Sequence, residues 1–184
     1  MKGSVKDYMI PVAKFPLIAE TATLAEGVLA LDKVHEEYLA GKREQRILLV
    51  CDNGNKVVGK LSPIDVMRGL EPDYDKVMGG STSPLMGNVG YVIDSMKNTA
   101  TLWAKPLDDL CATAQGIAIR DVVNRPTKSQ VIGQDDSINA AFHRFVMFRH
   151  DSLFVMDGKR LVGILRFSDV YREVADKMKN ICSA

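Results

Sequence analysis

Two stretches of the chain set a carboxylate three residues beyond a hydrogen-bonding side chain. In GKLSPIDVM (59–67) the pair is Ser62 and Asp65, and in GILRFSDVY (163–171) it is Arg166 and Asp169. A serine and an aspartate at this spacing ahead of an apolar run form a capping box, which needs no ligand. The same groups can also serve one. An ionised carboxylate accepts hydrogen bonds from two neighbouring hydroxyls, and free amides at a helix N-terminus favour phosphate. Arg166 offers no small hydroxyl; its guanidinium can fork onto a phosphate or onto Asp169 itself. If capping were the whole role, Asp169 would have little reason to accompany Arg166, although Ser168 is a possible cap there.

Other reactive side chains do not assemble into a recognised constellation. His143 and His150 stand seven apart with Asp151 adjacent, which is no metal spacing. His35-Glu36-Glu37 lacks a second histidine, no serine sits in a G-x-S-x-G elbow, and MGGSTS lacks the lysine of a phosphate-binding loop. Cys51, Cys111 and Cys182 are too few and too far apart for a disulfide framework or a metal knuckle, and Cys51 reads as inert core. No nucleophile–base pair is visible, so the expectation is a protein that is not an enzyme and requires no cofactor.

The elements that carry the two carboxylates recur. Asp7 aligns with Asp121, Ile18 with Ile132 and Leu24 with Ile138; further on, Val50 aligns with Val155, Gly59 with Gly163 and Asp65 with Asp169. Several anchors in one order make this an internal duplication. Each copy reads as strand, helix, strand, turn, strand, helix. In the first, Phe15–Ala19 is a short strand. Thr23 and Glu26 form a capping box for a helix whose apolar side is Leu24, Val28, Leu31 and Leu39. Ile47–Cys51 is a continuous apolar strand suited to burial on both faces, DNGN is a turn, Val57–Leu61 is the last strand, and Pro63 suits a first helical turn. One copy is too small to bury its sheet alone, whereas two packed together are not. The copies span 1–70 and 117–184.

Between them lies 71–116. MGGSTSPLMGN reads as a loop and VGYVIDSMKNTATLW as a helix; PLDDLCATA reads as a second helix whose stripe of Leu107, Leu110, Cys111 and Ala114 is core packing or, with Trp103, a dimer contact. Lys plus Arg number 24 against 23 for Asp plus Glu, which leaves no general basic field for nucleic acid or an anionic membrane. The polar start MKGSVKDYMIPVAK has no apolar signal core, and the longest apolar run, Ile47–Cys51, is far too short to cross a bilayer. A cytoplasmic protein is expected.

The repeat resembles the cystathionine-β-synthase (CBS) domain. GKLSPIDV and GILRFSDV resemble its Gly-hydrophobic-x-Thr/Ser-x-x-Asp signature, LLVCDNGNKVVG and LFVMDGKRLVG its paired strands, and VKDYMIPV and IRDVVNRP its lead-in. The tandem arrangement resembles a Bateman module. The resemblance implies an α/β (α+β) fold of two β-α-β-β-α lobes related by a pseudo-twofold axis, with a helical insertion between them. It implies a regulatory module that binds an adenosine-containing ligand (AMP, ADP, ATP or S-adenosylmethionine) in clefts between the lobes, pairs into a homodimer and signals to an effector protein.

It also implies roles. Asp65 and Asp169 would grip the ribose and Ser62 would touch ribose or phosphate; Arg166 departs from the signature's Thr/Ser, and by its own chemistry would reach phosphate or close its own site. Adenine would lie near Lys60, Ile164, Pro16 and Gln130. Arg46, His150 and Asp151 would line the clefts, with Lys14, Arg125 and Lys128 close enough to meet phosphate. The competing expectation is a structural dimerisation module whose clefts are degenerate and empty.

Overall fold

The computed structural model of the chain describes residues 3–71 and 107–182. Their elements are β1 (Ile10–Pro11), β2 (Leu17–Ala19), α1 (Leu24–Leu39), β3 (Leu48–Cys51), β4 (Val57–Leu61) and α2 (Pro63–Leu70), followed by α3 (Leu107–Gly116), β5 (Val131–Gly133), α4 (Ile138–Phe148), β6 (Ser152–Asp157), β7 (Arg160–Arg166) and α5 (Phe167–Cys182). The expectations for MGGSTSPLMGN, VGYVIDSMKNTATLW and Trp103 lie outside the described residues. The chain divides into two compact units, one made of Pro16–Asn124 and the other of Met1–Phe15 with Arg125–Ala184.

In the unit of Pro16–Asn124, β2, β3 and β4 form a sheet in that order, β2 parallel and β4 antiparallel to β3. β2 starts at Leu17 rather than Phe15. The Phe15 amide closes a 3-10 turn onto Val12, and Pro16 has no amide to give. All four residues of β3 are buried, as a continuous apolar strand should be. The turn after it is held by Asp52, whose Oδ1 accepts from the amides of Gly54 and Lys56, both at 2.9 Å, while Asn55 takes a φ of 58°.

Helix α1 begins at the expected box. The Thr23 amide donates to Glu26 Oε2 at 2.7 Å, and the Glu26 amide returns to Thr23 Oγ1 at 3.2 Å. Its buried stripe is Leu24, Gly27, Leu31 and Val34; Val28 and Leu39, expected on that face, are exposed. Next to Val28, Gly27 takes the core-facing place. A Cβ there would stand 2.8 Å from Leu61 Cδ2, so the missing side chain lets α1 settle along a line the apolar pattern alone does not mark. In α3, Ala114 is buried in the same core and Cys111 is exposed.

In the other unit the sheet order is β1-β7-β6-β5, with β5 parallel and β7 antiparallel to β6. Ser137 caps α4 by accepting from the Ala140 amide at 3.2 Å. Ile138, Ala141 and Phe145 of α4 join Ile132, Leu153, Val155, Leu165 and Val170 in its core.

The lead-in of each repeat belongs to the unit built on the other. Val5 is fully buried in the core formed by the second copy, where its amide donates to Asp136 O and that of Lys6 to Gln134 O, each at 2.9 Å. Ile119 is fully buried in the core formed by the first copy, with its amide on Ala22 O and that of Arg120 on Glu20 O, again at 2.9 Å.

Cys51 is buried, and burial, helped by the charge of Asp52, pushes its thiol pKa up, whereas Cys111 and Cys182 are exposed. A thiol held protonated and shielded reacts slowly. A disulfide-exchange reagent is therefore expected to count two fast thiols in the native protein and a third only after denaturation. Three fast thiols would contradict the placement of β3.

Candidate functional site

The residues singled out from the sequence sort into two sets, one at an equivalent corner of each sheet. In the unit of Pro16–Asn124 the corner is made by the start of β2, the start of β3, the end of β4 and the start of α2. Pro16 O accepts from the Leu49 amide at 3.0 Å, and Leu49 in turn faces Lys60 across the ladder. Arg46 lies two residues ahead of β3, where its guanidinium sits 4.9 Å over the Tyr38 ring, a cation–π contact whose aromatic member the sequence reading did not include.

β4 ends at Leu61, and Ser62 then turns the chain into α2 with Pro63 at the first helical position. Ser62 is buried and Asp65 half-buried. The Ser62 amide donates to Asp65 Oδ2 at 2.9 Å and its hydroxyl donates to the same oxygen. Both local bonds thus fall on Oδ2, and Oδ1 takes neither.

The corner of the other unit repeats this plan with different side chains. Ser152, the first residue of β6, pairs with Arg166, the last of β7, and the Phe167 amide donates to Asp151 O at 2.9 Å. Asp151, Arg166 and Asp169 therefore share one corner. There the Arg166 guanidinium forks onto Asp169, Nε to Oδ2 and Nη2 to Oδ1, both at 2.6 Å. About four-fifths of each of these two side chains is shielded from solvent, with exposures of 21% and 19%.

His150 Nε2 is 3.0 Å from Ser129 Oγ and its ring stacks on Phe148, with centroids 5.8 Å apart. Gln130 ends the same short turn as Ser129, and its Oε1 accepts from the Thr127 amide at 3.0 Å. Arg144 of α4 donates to Lys128 O at 3.0 Å, tying that turn to the helix. Ser129 was not among the expected residues; its place one step before Gln130 was the available signal. Ile164 is fully buried between Ile10 and Phe154 in the sheet, so it can offer backbone but no side-chain surface. Lys14 follows β1 in a 3-10 turn beside β7, and Arg125 opens the segment that leads to β5.

The signature glycines have a structural reason in the exchanged lead-ins. A Cβ on Gly59 would meet Val123, with Asn124 O at 3.2 Å; one on Gly163 would lie 2.7 Å from Met9 Sδ and 2.8 Å from Ile10 O. Each glycine marks where a lead-in passes over the strand that ends in the corner. Among the described residues no cluster of His, Cys, Asp or Glu is arranged to hold a metal, and no helix is long and apolar enough to cross a membrane.

Residues 117–176 match the family model described as CBS domain. Comparison with curated proteins gives no significant sequence match. Among solved structures, the chain is similar to a CBS domain-containing protein of unknown function from Bacillus anthracis, at 16% identity and a TM-score of 0.61, covering 96% of this chain and 95% of that one. It is similar to CBSX2 in complex with AMP, at 15% identity and a TM-score of 0.59 over 95% and 98% of the two chains. A CBS domain-containing protein from Kribbella flavida gives 18% identity and a TM-score of 0.56 over 94% and 98%. Residues 117–176 of the second repeat thus match the CBS domain by sequence, and the chain as a whole has the fold of a tandem CBS-domain pair.

Proposed function

We propose that the chain is a non-enzymatic regulatory module that binds an adenosine-containing ligand (AMP, ADP, ATP or S-adenosylmethionine) and passes the binding event to a protein partner. The observation that carries this reading is the Ser62–Asp65 corner. Asp65 is a half-buried carboxylate whose local bonds converge on one oxygen, beside a serine hydroxyl and the first turn of a helix. Such a carboxylate suits a vicinal diol, and the serine hydroxyl beside it can meet ribose or phosphate. The AMP in the complex of similar fold supports the choice of an adenosine ligand. Pro16, Arg46 and Lys60 stand at the same corner as the surroundings of the base and phosphate. The repeat limits 1–70 and 117–184, flanking the 71–116 insertion, go with this reading, and so does the cytoplasm as compartment, where Cys111 and Cys182 would stay reduced.

Melting curves test it. A ligand at a hundred times its Kd adds about 2.7 kcal/mol, which for a chain of this size raises the Tm by roughly 5–11 °C. A flat response to all four ligands overturns the reading. Phosphate release from ATP, measured in parallel, is expected to stay at the uncatalysed rate.

A homodimer completes the proposal. Val146 and Met147 of α4, and Tyr171, Met178 and Ile181 of α5, are all more than half exposed. On α5 the spacing of Phe167, Tyr171, Val174, Met178 and Ile181 alternates four and three, the pattern of a helix-pairing seam. Met178→Lys with Ile181→Lys is expected to convert a dimer into a monomer in light scattering while leaving the fold intact. Unchanged mass would place the contact elsewhere. The competing reading, a structural module without ligand, is favoured by one observation only, the Arg166–Asp169 fork, and only for the second copy.

A further inference from the structure

We infer that each chain takes one adenosine ligand, and that Arg166 is the residue that withholds a second by occupying the carboxylate of Asp169. This rests on the reading of Asp65 as the group that accepts the ribose hydroxyls. The two repeats put the comparison in one frame. Gly163, Arg166 and Asp169 stand where Gly59, Ser62 and Asp65 stand in the first copy, each at the strand–helix corner of its own sheet. At the first corner the partner of the carboxylate is a neutral serine, and both of its bonds go to Oδ2. At the second the partner is a cation that takes one oxygen with Nε and the other with Nη2, each at 2.6 Å.

Charge decides between the corners. To reach Asp169 through its two hydroxyls, a ribose must exchange a bidentate, charge-assisted pair for two neutral donors. It must also break a pair whose two side chains are four-fifths shielded, and breaking a shielded ion pair is costly. Among the described residues no cation is paired with Asp65. A ligand phosphate could compensate Arg166, so AMP and ATP together make the stringent comparison. One equivalent is expected with each, because the fork already pairs the two charges at both carboxylate oxygens. The duplicated fold then offers two corners of the same ancestry, of which one is open and the other is held by its own side chain.

Calorimetric titration of the full chain with AMP and with ATP reads this directly. The wild-type protein is expected to bind one equivalent of either, and Arg166→Ser, which gives the second corner the Ser-x-x-Asp pattern of the first, is expected to bind two. Adding Asp169→Ala to Arg166→Ser should return the count to one. Two equivalents on the wild-type chain overturn the inference without any variant, and so does a folded Arg166→Ser protein that still binds one. The two readings fail differently. No binding by the wild type with one equivalent on Arg166→Ser keeps Arg166 as the closing residue and removes Asp65 as the ribose acceptor. No binding by either removes both.

Discussion

Asp65→Ala is expected to abolish the ligand-dependent rise in melting temperature while costing the unliganded protein little. Hydrogen bonds to a charged group contribute about 1.5–3 kcal/mol each, so losing the acceptor of two ribose hydroxyls weakens binding by roughly two to four powers of ten. The local role of the same side chain is smaller. Its Oδ2 takes the Ser62 amide and hydroxyl at the start of α2, and loss of a helix cap costs about 1 kcal/mol, or some 2–4 °C in a chain of this length. The two effects separate cleanly, because one appears without ligand and the other only with it. If Asp65 were a cap and nothing more, the variant would melt a few degrees lower and keep its full response to AMP. Ser62→Ala provides the reciprocal control. It removes a hydroxyl but leaves the carboxylate and the Ser62 amide in place, so most of the ligand response should survive.

What the sequence made legible was whatever depends on local spacing. Thr23 and Glu26 announced the start of α1, the apolar run before Asp52 announced a strand buried on both faces, and Pro63 announced α2. The duplication showed through because Gly59 and Gly163 sit in the same pattern. Long-range choices were not legible. Val5 and Ile119 read as apolar residues of a lead-in, but nothing in their neighbours says that each will be buried in the core built on the other copy. Val28 and Leu39 fit the helical period of α1 yet are exposed; beside Val28 it is Gly27 that faces the core, because close approach to Leu61 mattered more than side-chain area there. Ile164 was expected near a base; its side chain is fully enclosed in the sheet, which leaves only its backbone for such a role. The sequence left Arg166 with two destinations. The geometry pairs it with Asp169, a choice between a partner three residues away and a ligand that the sequence does not contain.

Gly163→Ala is expected to be the most damaging small substitution in the unit of Met1–Phe15 with Arg125–Ala184, and its comparison with Gly59→Ala tests the exchange of lead-ins. A Cβ at 163 would stand 2.8 Å from Ile10 O, and β1 is held there by pairing Ile10 with Ile164 and Pro11 with Gly163. Backbone cannot rotate away as a side chain can, so the lead-in must lift off β7, taking Val5 with it from the core it fills. Overpacking of this kind costs about 1–3 kcal/mol, and the upper end applies where the obstacle is a carbonyl; a fall of roughly 6–12 °C in Tm follows. At Gly59 the nearest obstacle is the Val123 side chain, with the Asn124 carbonyl farther away at 3.2 Å. That clash is relieved by shortening the neighbour, so Val123→Ala should recover most of the stability lost by Gly59→Ala. Met9→Ala should recover little of that lost by Gly163→Ala, since Ile10 O remains. Equal rescue at both glycines, or a Gly163→Ala protein as stable as the parent in denaturant melts, would mean that residues 3–15 do not lie across β7 in solution. The second CBS fold would then have to close without the segment that precedes the first.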